Sequence, residues 1–543
     1  MTPAPPAAAN KSATTCLAAA LVALPLLQML PIDFDRTGAF VLLLPILWAG
    51  RREFARAVVA IRHAPSRIAV SFALGVVAVL VSLWRAEQPA PAAVAAASWL
   101  FIAAAGLIAG QLVRADSSAA RRLLAATALG PAVGMLVVWL LWIAGGRGGM
   151  PLYAHPRILG LHMIGGAVAS TALLVRPAAP RATRFAWWLV GIVVWAGMLW
   201  SGGRAPLLAA AVGLAAWFAM RASDRRRLAL VAAAQLLGGL ALSAAFWTPR
   251  PELGWWHALE RTNAAAASGN VSGLTSTRSD FWRETAQRAR LAPWLGHGPD
   301  AYRFLTPKLD GEQPHNFVLG LWLDLGALGA APLLVLLAGA LARGASRALR
   351  SRDHDDDMTL AWTALLLASV VGGLLDGVFY HLVAFLPAMV AWGIALELPP
   401  AEKISSGPTP LVGLARAALI SAGGVLLLHG FIFYALALAR VPANPAAFSA
   451  RCVRFFPSST FGLTRWLDVW QRDDPAVALE WTRWAQTHSA NAPAFHIYAA
   501  VLLATHGDRP AAERELVAAA AKAHWTSRPA IDAMLQDFRS APP

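Results

Sequence analysis

The chain has 543 residues, 57% of them hydrophobic and only 14% charged, and its mean hydropathy is +0.52. Soluble domains carry about a quarter of charged residues, so a single soluble core is excluded and an integral membrane protein is indicated. A net charge of +16 and a pI near 11.1 would suggest nucleic acid in a soluble protein, but the arginines fall in short clusters between apolar runs; they report topology, and no nucleic-acid partner is expected.

In chain order, the low-complexity "MTPAPPAAANK" leads into apolar runs at 16–30 and 37–50. No small-residue cleavage site precedes Pro31-Ile32-Asp33, so the first run reads as an uncleaved helix. Further runs follow at 68–84, 92–113, 123–144, 158–175, 185–200, 205–220 and 228–247, and then at 316–342, 358–378, 381–398 and 411–438. Such runs suit a hydrocarbon core of roughly 30 Å, where only a helix satisfies its own backbone. The fold expected is all-α, a polytopic membrane helix bundle of about 12–13 spans.

Alternate links carry Arg51, Arg52, Arg56, Arg62 and Arg67, then Arg114, Arg121 and Arg122, then Arg176, Arg181 and Arg184, then Arg221 and Arg225 to Arg227, then Arg343, Arg347, Arg350 and Arg352. The positive-inside rule puts these links and the amino terminus in the cytoplasm, and the other links outside. The domains expected are membrane helices over 1–247, an outer loop with catalytic residues over 248–315, membrane helices again over 316–440 and a soluble, outward helical domain over 441–543. Cys16 and Cys452 are kept apart by this topology, so neither a disulfide nor a cysteine metal site is expected.

Between Trp247 and His315 the chain turns polar, and a long polar loop at one face is a place for function. In "TRSDFWRETAQRARLAPWLG", Phe281, Thr285 and Ala289 recur at helical spacing ahead of Pro293, predicting a helix of about three turns. "GHGPDAY" reads as a tight turn. Near the end, "DPAVALEWTRWAQ" from Asp474 aligns with "DRPAAERELVAAA" from Asp508 at an offset of 34, the period of tetratricopeptide repeats; a plain helical cap is the other reading.

Polar groups at membrane helix ends must be hydrated, paired or used. On the outer face they are Arg147, His155 and Arg157 in "GGRGGMPLYAHPRILG", Arg204 in "SGGRAP", Arg278 and Arg283 in the loop helix, His297 and His315 after it, and Asp376 and His381 around "DGVFYH". Alone, Arg204 reads equally as an interfacial arginine reaching for headgroups. With Arg147, Arg157 and Arg278 it makes a cationic pocket for phosphate or pyrophosphate, whose oxygens guanidinium groups bind in pairs. His315 is either a hydrated interfacial residue or the group that takes a proton from, or orients, an acceptor hydroxyl. Pro314 fixes its approach and Asn316 caps the next helix. Asp324, about two and a half turns further on, faces away from His315 and reads as a structural hydrogen-bonding partner. Nothing in the spacing of Asp376 identifies a role. No acidic cluster on this face suits a divalent metal, and no Walker loop or dinucleotide fingerprint occurs, so no metal and no cofactor are expected.

Three blocks, "LWSGGRAP", "TSTRSDFWRETAQRARLAPWLGHGPDAYRF" and "PHNFVLGLWLDLGALG", in this order around one outer loop, resemble the O-antigen ligase and polymerase group of bacterial membrane glycosyltransferases, which includes the O-linking protein oligosaccharyltransferases. Two details depart from the family pattern: Asp324 stands where glutamate is usual, and the Ser-Arg pair is opened to Ser201-Gly202-Gly203-Arg204. The resemblance implies a GT-C-like bundle in the bacterial inner membrane with its active site facing the periplasm. Arg204, Arg278 and His315 take the positions of the family's essential arginines and histidine. Arg147, Arg157, His155 and Arg283 become donor pyrophosphate-binding residues, supported by Asn316, Asp324 and Asp376. The implied donor is a glycan on undecaprenyl pyrophosphate, and the acceptor is lipid A core, a growing glycan or a protein hydroxyl. Ligation to lipid A core comes first, polymerisation or protein O-glycosylation second. A glycan flippase is more remote, because it calls for ionisable groups at midplane depth and matching halves, neither of which the sequence has.

Overall fold

Where the sequence is apolar, the chain is helical. The computed structural model describes residues 10–27, 32–145, 153, 155–175, 180–220, 225–248, 253–269, 275, 278–304, 313–350, 357–396, 398–399, 410–438, 474–488, 492–523 and 528–541, and among the described residues there is no strand. Arg147, Arg176, Arg221, Arg352 and Cys452 lie outside them. The membrane part runs through α1 (Lys11–Leu27), α2 (Ile32–Ala49), α3 (Arg51–Arg62), α4 (Ser66–Arg85), α5 (Pro89–Ala115), α6 (Ser117–Ala144), α7 (Pro156–Val175), α8 (Arg181–Trp200), α9 (Arg204–Met220) and α10 (Arg225–Ala245). After the loop helices α11 (Trp255–Ala267) and α12 (Arg278–Ala289) come α13 (Phe317–Arg350), α14 (Asp357–Leu375), α15 (Leu382–Leu396) and α16 (Pro410–Leu438). Every segment read as a span falls on one of these helices. Nine of them, α4 to α8, α10, α13, α14 and α16, are long and apolar enough to cross a membrane, while α1, α9 and α15 are shorter apolar helices. The protein is a polytopic helical bundle, a multi-pass membrane protein.

The centre of the bundle is α7, buried along its whole span and ringed by α6, α8, α9, α10, α14 and α15. Side chains pin the two ends. At one end Trp362 donates to Ala120 O at 3.3 Å, Arg343 to Leu396 O at 2.9 Å and Asn10 to Ala49 O at 2.7 Å; this is the arginine-rich end. At the other, Trp200 donates to Phe246 O at 2.9 Å, and Gly254 N to Trp200 O at 2.7 Å, which ties the start of the loop to α8.

Two helices lie where the sequence suggested links. Phe54, Ala57 and Val58 recur on one face of α3 and are buried, while Arg51, Arg52 and Arg62 on the other are exposed. The segment is therefore an amphipathic helix rather than a bare basic link. The second is α11, which lays a polar helix inside the long loop.

α13 is interrupted at Gly326, whose φ of 64° and ψ of −178° lie outside the helical region. A side chain there would meet the backbone of Trp294 and Leu295, so only glycine fits. The break frees backbone groups about 13 Å along the helix at 1.5 Å per residue, and buried backbone groups left unpaired are costly. The loop after α12 pairs them. Ala327 N donates to Pro293 O at 2.8 Å, Leu328 N to Trp294 O at 3.1 Å, His297 N to Leu323 O at 2.8 Å and Gly298 N to Asp324 O at 3.0 Å. The loop is thus woven into the helix.

Beyond residue 473 four helices follow, α17 (Pro475–His488), α18 (Ala492–Thr505), α19 (Arg509–Lys522) and α20 (Arg528–Ser540), each packed on the next. Asp508 caps α19 through Ala511 N at 3.0 Å, and the aligned Asp474 bonds Val477 N at 3.2 Å, so the two aligned stretches start their helices in the same way.

Candidate active site

Chain segments far apart in sequence meet above α7. The first is the entry to α13. Asn316 Oδ1 accepts from Val318 N at 3.0 Å and Leu319 N at 3.1 Å, the N-cap expected from sequence. His315, just outside that cap, has a φ of 53°, the left-handed region that non-glycine residues rarely occupy. Its surroundings hold it there: Trp282 Nε1 donates to His315 O at 3.3 Å, and the imidazole stands edge-on to Phe281 at 5.1 Å. Both aromatics come from α12, whose buried face is Arg278, Phe281, Thr285 and Ala289.

The second is the turn between α14 and α15. Asp376, 2% exposed, accepts through Oδ1 from His315 Nδ1 at 2.9 Å and from its neighbour Gly377 N at 2.9 Å. Its other oxygen, Oδ2, takes Arg278 Nη2. A carboxylate facing Nδ1 selects the imidazole tautomer with its proton on that nitrogen, leaving the Nε2 lone pair outward. Among the described residues His315 Nε2 makes no hydrogen bond. Burial works to raise the Asp376 pKa, but the His315 hydrogen bond and the charges of Arg278 and Arg157 outweigh it and hold the carboxyl well below the usual range.

Third come the cations. Arg204 opens α9 after a turn in which Gly202 supplies a φ of 65°, so the opened Ser-Gly-Gly-Arg link reverses the chain. Arg204 Nη1 donates to Thr262 Oγ1 on α11 at 2.9 Å. Arg157 stands in the first turn of α7. Arg157, Arg204, Arg278 and Arg261 lie close enough to act on one another electrostatically, and Asp376 acts on Arg157. Four guanidinium groups thus share one neighbourhood with this buried carboxylate, and like charges held together favour an anion of high charge density between them.

The remaining predicted residues scatter more. His155 is exposed and accepts from Arg157 N through Nδ1 at 3.1 Å, so it caps the start of α7. Arg283, exposed, pairs with Asp280 at 3.2 Å; five residues beyond Arg278, it points about 140° round the helix from it. The carboxylate of Asp324 accepts from Asp300 N and Ala301 N at 3.1 Å each and so holds the loop that fills the α13 break. Arg147 lies outside the described residues. His297 bonds Arg288 O at 3.1 Å, and His381 bonds Gln313 at 3.0 Å.

Sequence reasoning missed Arg261 and the tie made by Asp376. Arg261 sits in a stretch read as loop, and only the α11 periodicity of Ala258 and Ala265, both buried, hinted at a helix. For Asp376 the one available signal was the scarcity of carboxylates on this face. Among the described residues no group of three or more His, Cys, Asp or Glu could hold a metal ion.

Residues 188–334 match the family model O-Antigen ligase, the family that the three sequence blocks resemble. The match covers Arg204, Arg261, Arg278 and His315 and ends before Asp376. No curated protein matches the chain.

Proposed function

We propose that this protein transfers a glycan from undecaprenyl pyrophosphate to an acceptor hydroxyl at the periplasmic face of the bacterial inner membrane, with lipid A core as the acceptor. The matched family supports a function of the O-antigen ligase and polymerase kind. What carries the finer reading is the convergence on one buried carboxylate, Asp376, of His315 and Arg278, beside Arg157, Arg204 and Arg261.

The chemistry follows from the groups. The acceptor hydroxyl gives its proton to His315 Nε2, and its oxygen attacks the anomeric carbon. The bond from that carbon to the pyrophosphate oxygen breaks, and the electron pair leaves with the pyrophosphate. A single displacement of this kind inverts the anomeric configuration. Asp376 fixes the imidazole and stabilises the imidazolium that forms. The arginines hold the pyrophosphate and take up its growing charge, which is electrostatic stabilisation of the transition state by groups already in place. Arg278 serves both sides, since it touches Asp376 and belongs to the cation cluster.

The test is transfer by purified protein in proteoliposomes supplied with lipid-linked glycan and lipid A core, in buffer containing a metal chelator. Wild type should give inverted product with the chelator present, and His315→Ala should be slower by at least about 100-fold, the usual scale of acid–base catalysis. Envelope lipopolysaccharide from a strain carrying only His315→Ala separates the acceptors. Loss of all long chains with accumulating lipid-linked glycan means ligation, and collapse to single repeats means polymerisation. An unchanged ladder points to a protein acceptor or removes His315 from the site.

A further inference from the structure

Away from this site, α1 and α6 leave a groove of about 660 Å³ open along their outer side. The two helices touch closely where Gly130 meets the backbone of Leu21, and a side chain there would collide. On the lateral side the facing residues are small or end short, with Ala18, Ala19 and Ala23 on α1 opposite Ala125, Leu129 and Val133 on α6. Leu129 and Val133 are 37% and 41% exposed, so the groove opens sideways, toward where lipid lies. From Thr14 to Leu26 it runs about 18 Å at 1.5 Å per residue, roughly one leaflet of a 30 Å hydrocarbon core.

Its ends differ chemically. Toward Leu26 and Val137 the lining is apolar; toward Thr14, Thr15 and Arg122 it is polar. Arg122 is committed to Asp116 at 2.5 Å and to Ser118 at 3.1 Å. Lys11 and Arg121 are exposed, and their side-chain nitrogens make no hydrogen bond among the described residues. Each stands four residues before a groove-lining residue, Thr15 and Ala125, and therefore on the same helix face one turn nearer the arginine-rich end. An apolar slot one leaflet long that ends at two cations matches a hydrocarbon chain joined to a phosphate.

We infer that this groove seats an acyl chain of one anionic phospholipid from the leaflet at the arginine-rich end, its phosphate held by Lys11 and Arg121. The cations distinguish it from the passing lipid that covers any apolar helix, because a zwitterionic phospholipid, whose own cation offsets its phosphate, gains less from them than an anionic one. The inference is independent of the proposed reaction, whose residues lie at the opposite end.

Native mass spectrometry of the purified full-length protein tests it, after exchange into nanodiscs of phosphatidylglycerol or of phosphatidylcholine. The expected result is a monomer that retains one phosphatidylglycerol at least about tenfold more than phosphatidylcholine. Ala19→Phe/Ala125→Phe, which fills the groove, should lose the adduct. Lys11→Gln/Arg121→Gln, confined to exposed side chains, should weaken it roughly tenfold to thirtyfold, as expected for two surface cations. If the filled variant does not fold, the charge variant reads the same adduct. Equal retention of both lipids, retention unchanged in the charge variant, a polyprenyl phosphate in place of phospholipid, or a dimer that dissociates when the groove is filled would each overturn the assignment.

Discussion

Replacing Asp376 by asparagine separates the charge of this carboxylate from its shape. The bond it accepts from His315 Nδ1 spans 2.9 Å and is charge-assisted, a class that contributes about 1.5–3 kcal/mol. At about 1.4 kcal/mol per decade this is roughly a 10- to 100-fold loss of rate. Where asparagine also admits the other tautomer, the loss in such histidine–carboxylate pairs extends to about 10⁴-fold. The assay is single-turnover transfer of labelled glycan in proteoliposomes, beside the melting temperature of the same preparation. The variant strands Arg278, itself only 9% exposed, and removing one partner of a buried pair costs about 3–5 kcal/mol. Asp376→Asn/Arg278→Gln removes both charges and should regain much of the melting temperature while regaining no transfer. A folded Asp376→Asn protein that transfers at the wild-type rate would refute the claim that Asp376 sets His315 for catalysis.

Replacement of Arg157, Arg204 or Arg261 by lysine keeps the charge but loses the two-pronged fork, so each should raise the donor KM by about tenfold; Arg283→Lys should change nothing in the same titration, and an equal effect there would break the grouping. The lowered pKa of Asp376 gives stability that is fully present above the unfolded value of about 3.9 and is lost only as pH falls through the folded value. The melting-temperature gap between wild type and Asp376→Asn should therefore hold steady from about pH 5 to 8 and narrow below about pH 4, whereas a gap that closes near neutrality would contradict the assignment. Gly326→Ala places a Cβ against Trp294 and forces alanine into a positive-φ, extended-ψ conformation open essentially to glycine alone, costing about 1–3 kcal/mol before the clash is counted. It should lower the melting temperature and speed proteolysis of the 291–300 loop, and an unchanged protease pattern would show that the loop does not depend on the break.

Hydropathy made the membrane helices legible because each span must be apolar over its own length, a local property. It does not reveal α3, because Arg51, Arg52, Arg56 and Arg62 lower the mean hydropathy of a segment whose apolar face is Phe54, Ala57 and Val58. α11 was lost for a similar reason, since alanine and threonine in a polar stretch carry little contrast. The loop helix α12 is readable from Phe281, Thr285 and Ala289, but a shared loop does not give a shared face: Arg278 and Arg283, five residues apart, point about 140° from one another. Asp376 meets His315 across 61 residues and Arg278 across 98, and no spacing within a segment encodes such a meeting. The site is tertiary, formed where helix ends are brought together by packing around α7.

The break in α13 also bears on how the chain is made. Loop residues 293–298 precede Gly326 and emerge from the ribosome first, so the partners that the broken helix needs have already been synthesised when α13 enters the bilayer. Had they come later, the open carbonyls and amides would wait in hydrocarbon without partners, at a cost of several kcal/mol each. The order of segments along the chain thus suits biogenesis: the loop, tied to α8 where Gly254 N donates to Trp200 O, is made before the helix whose break it fills.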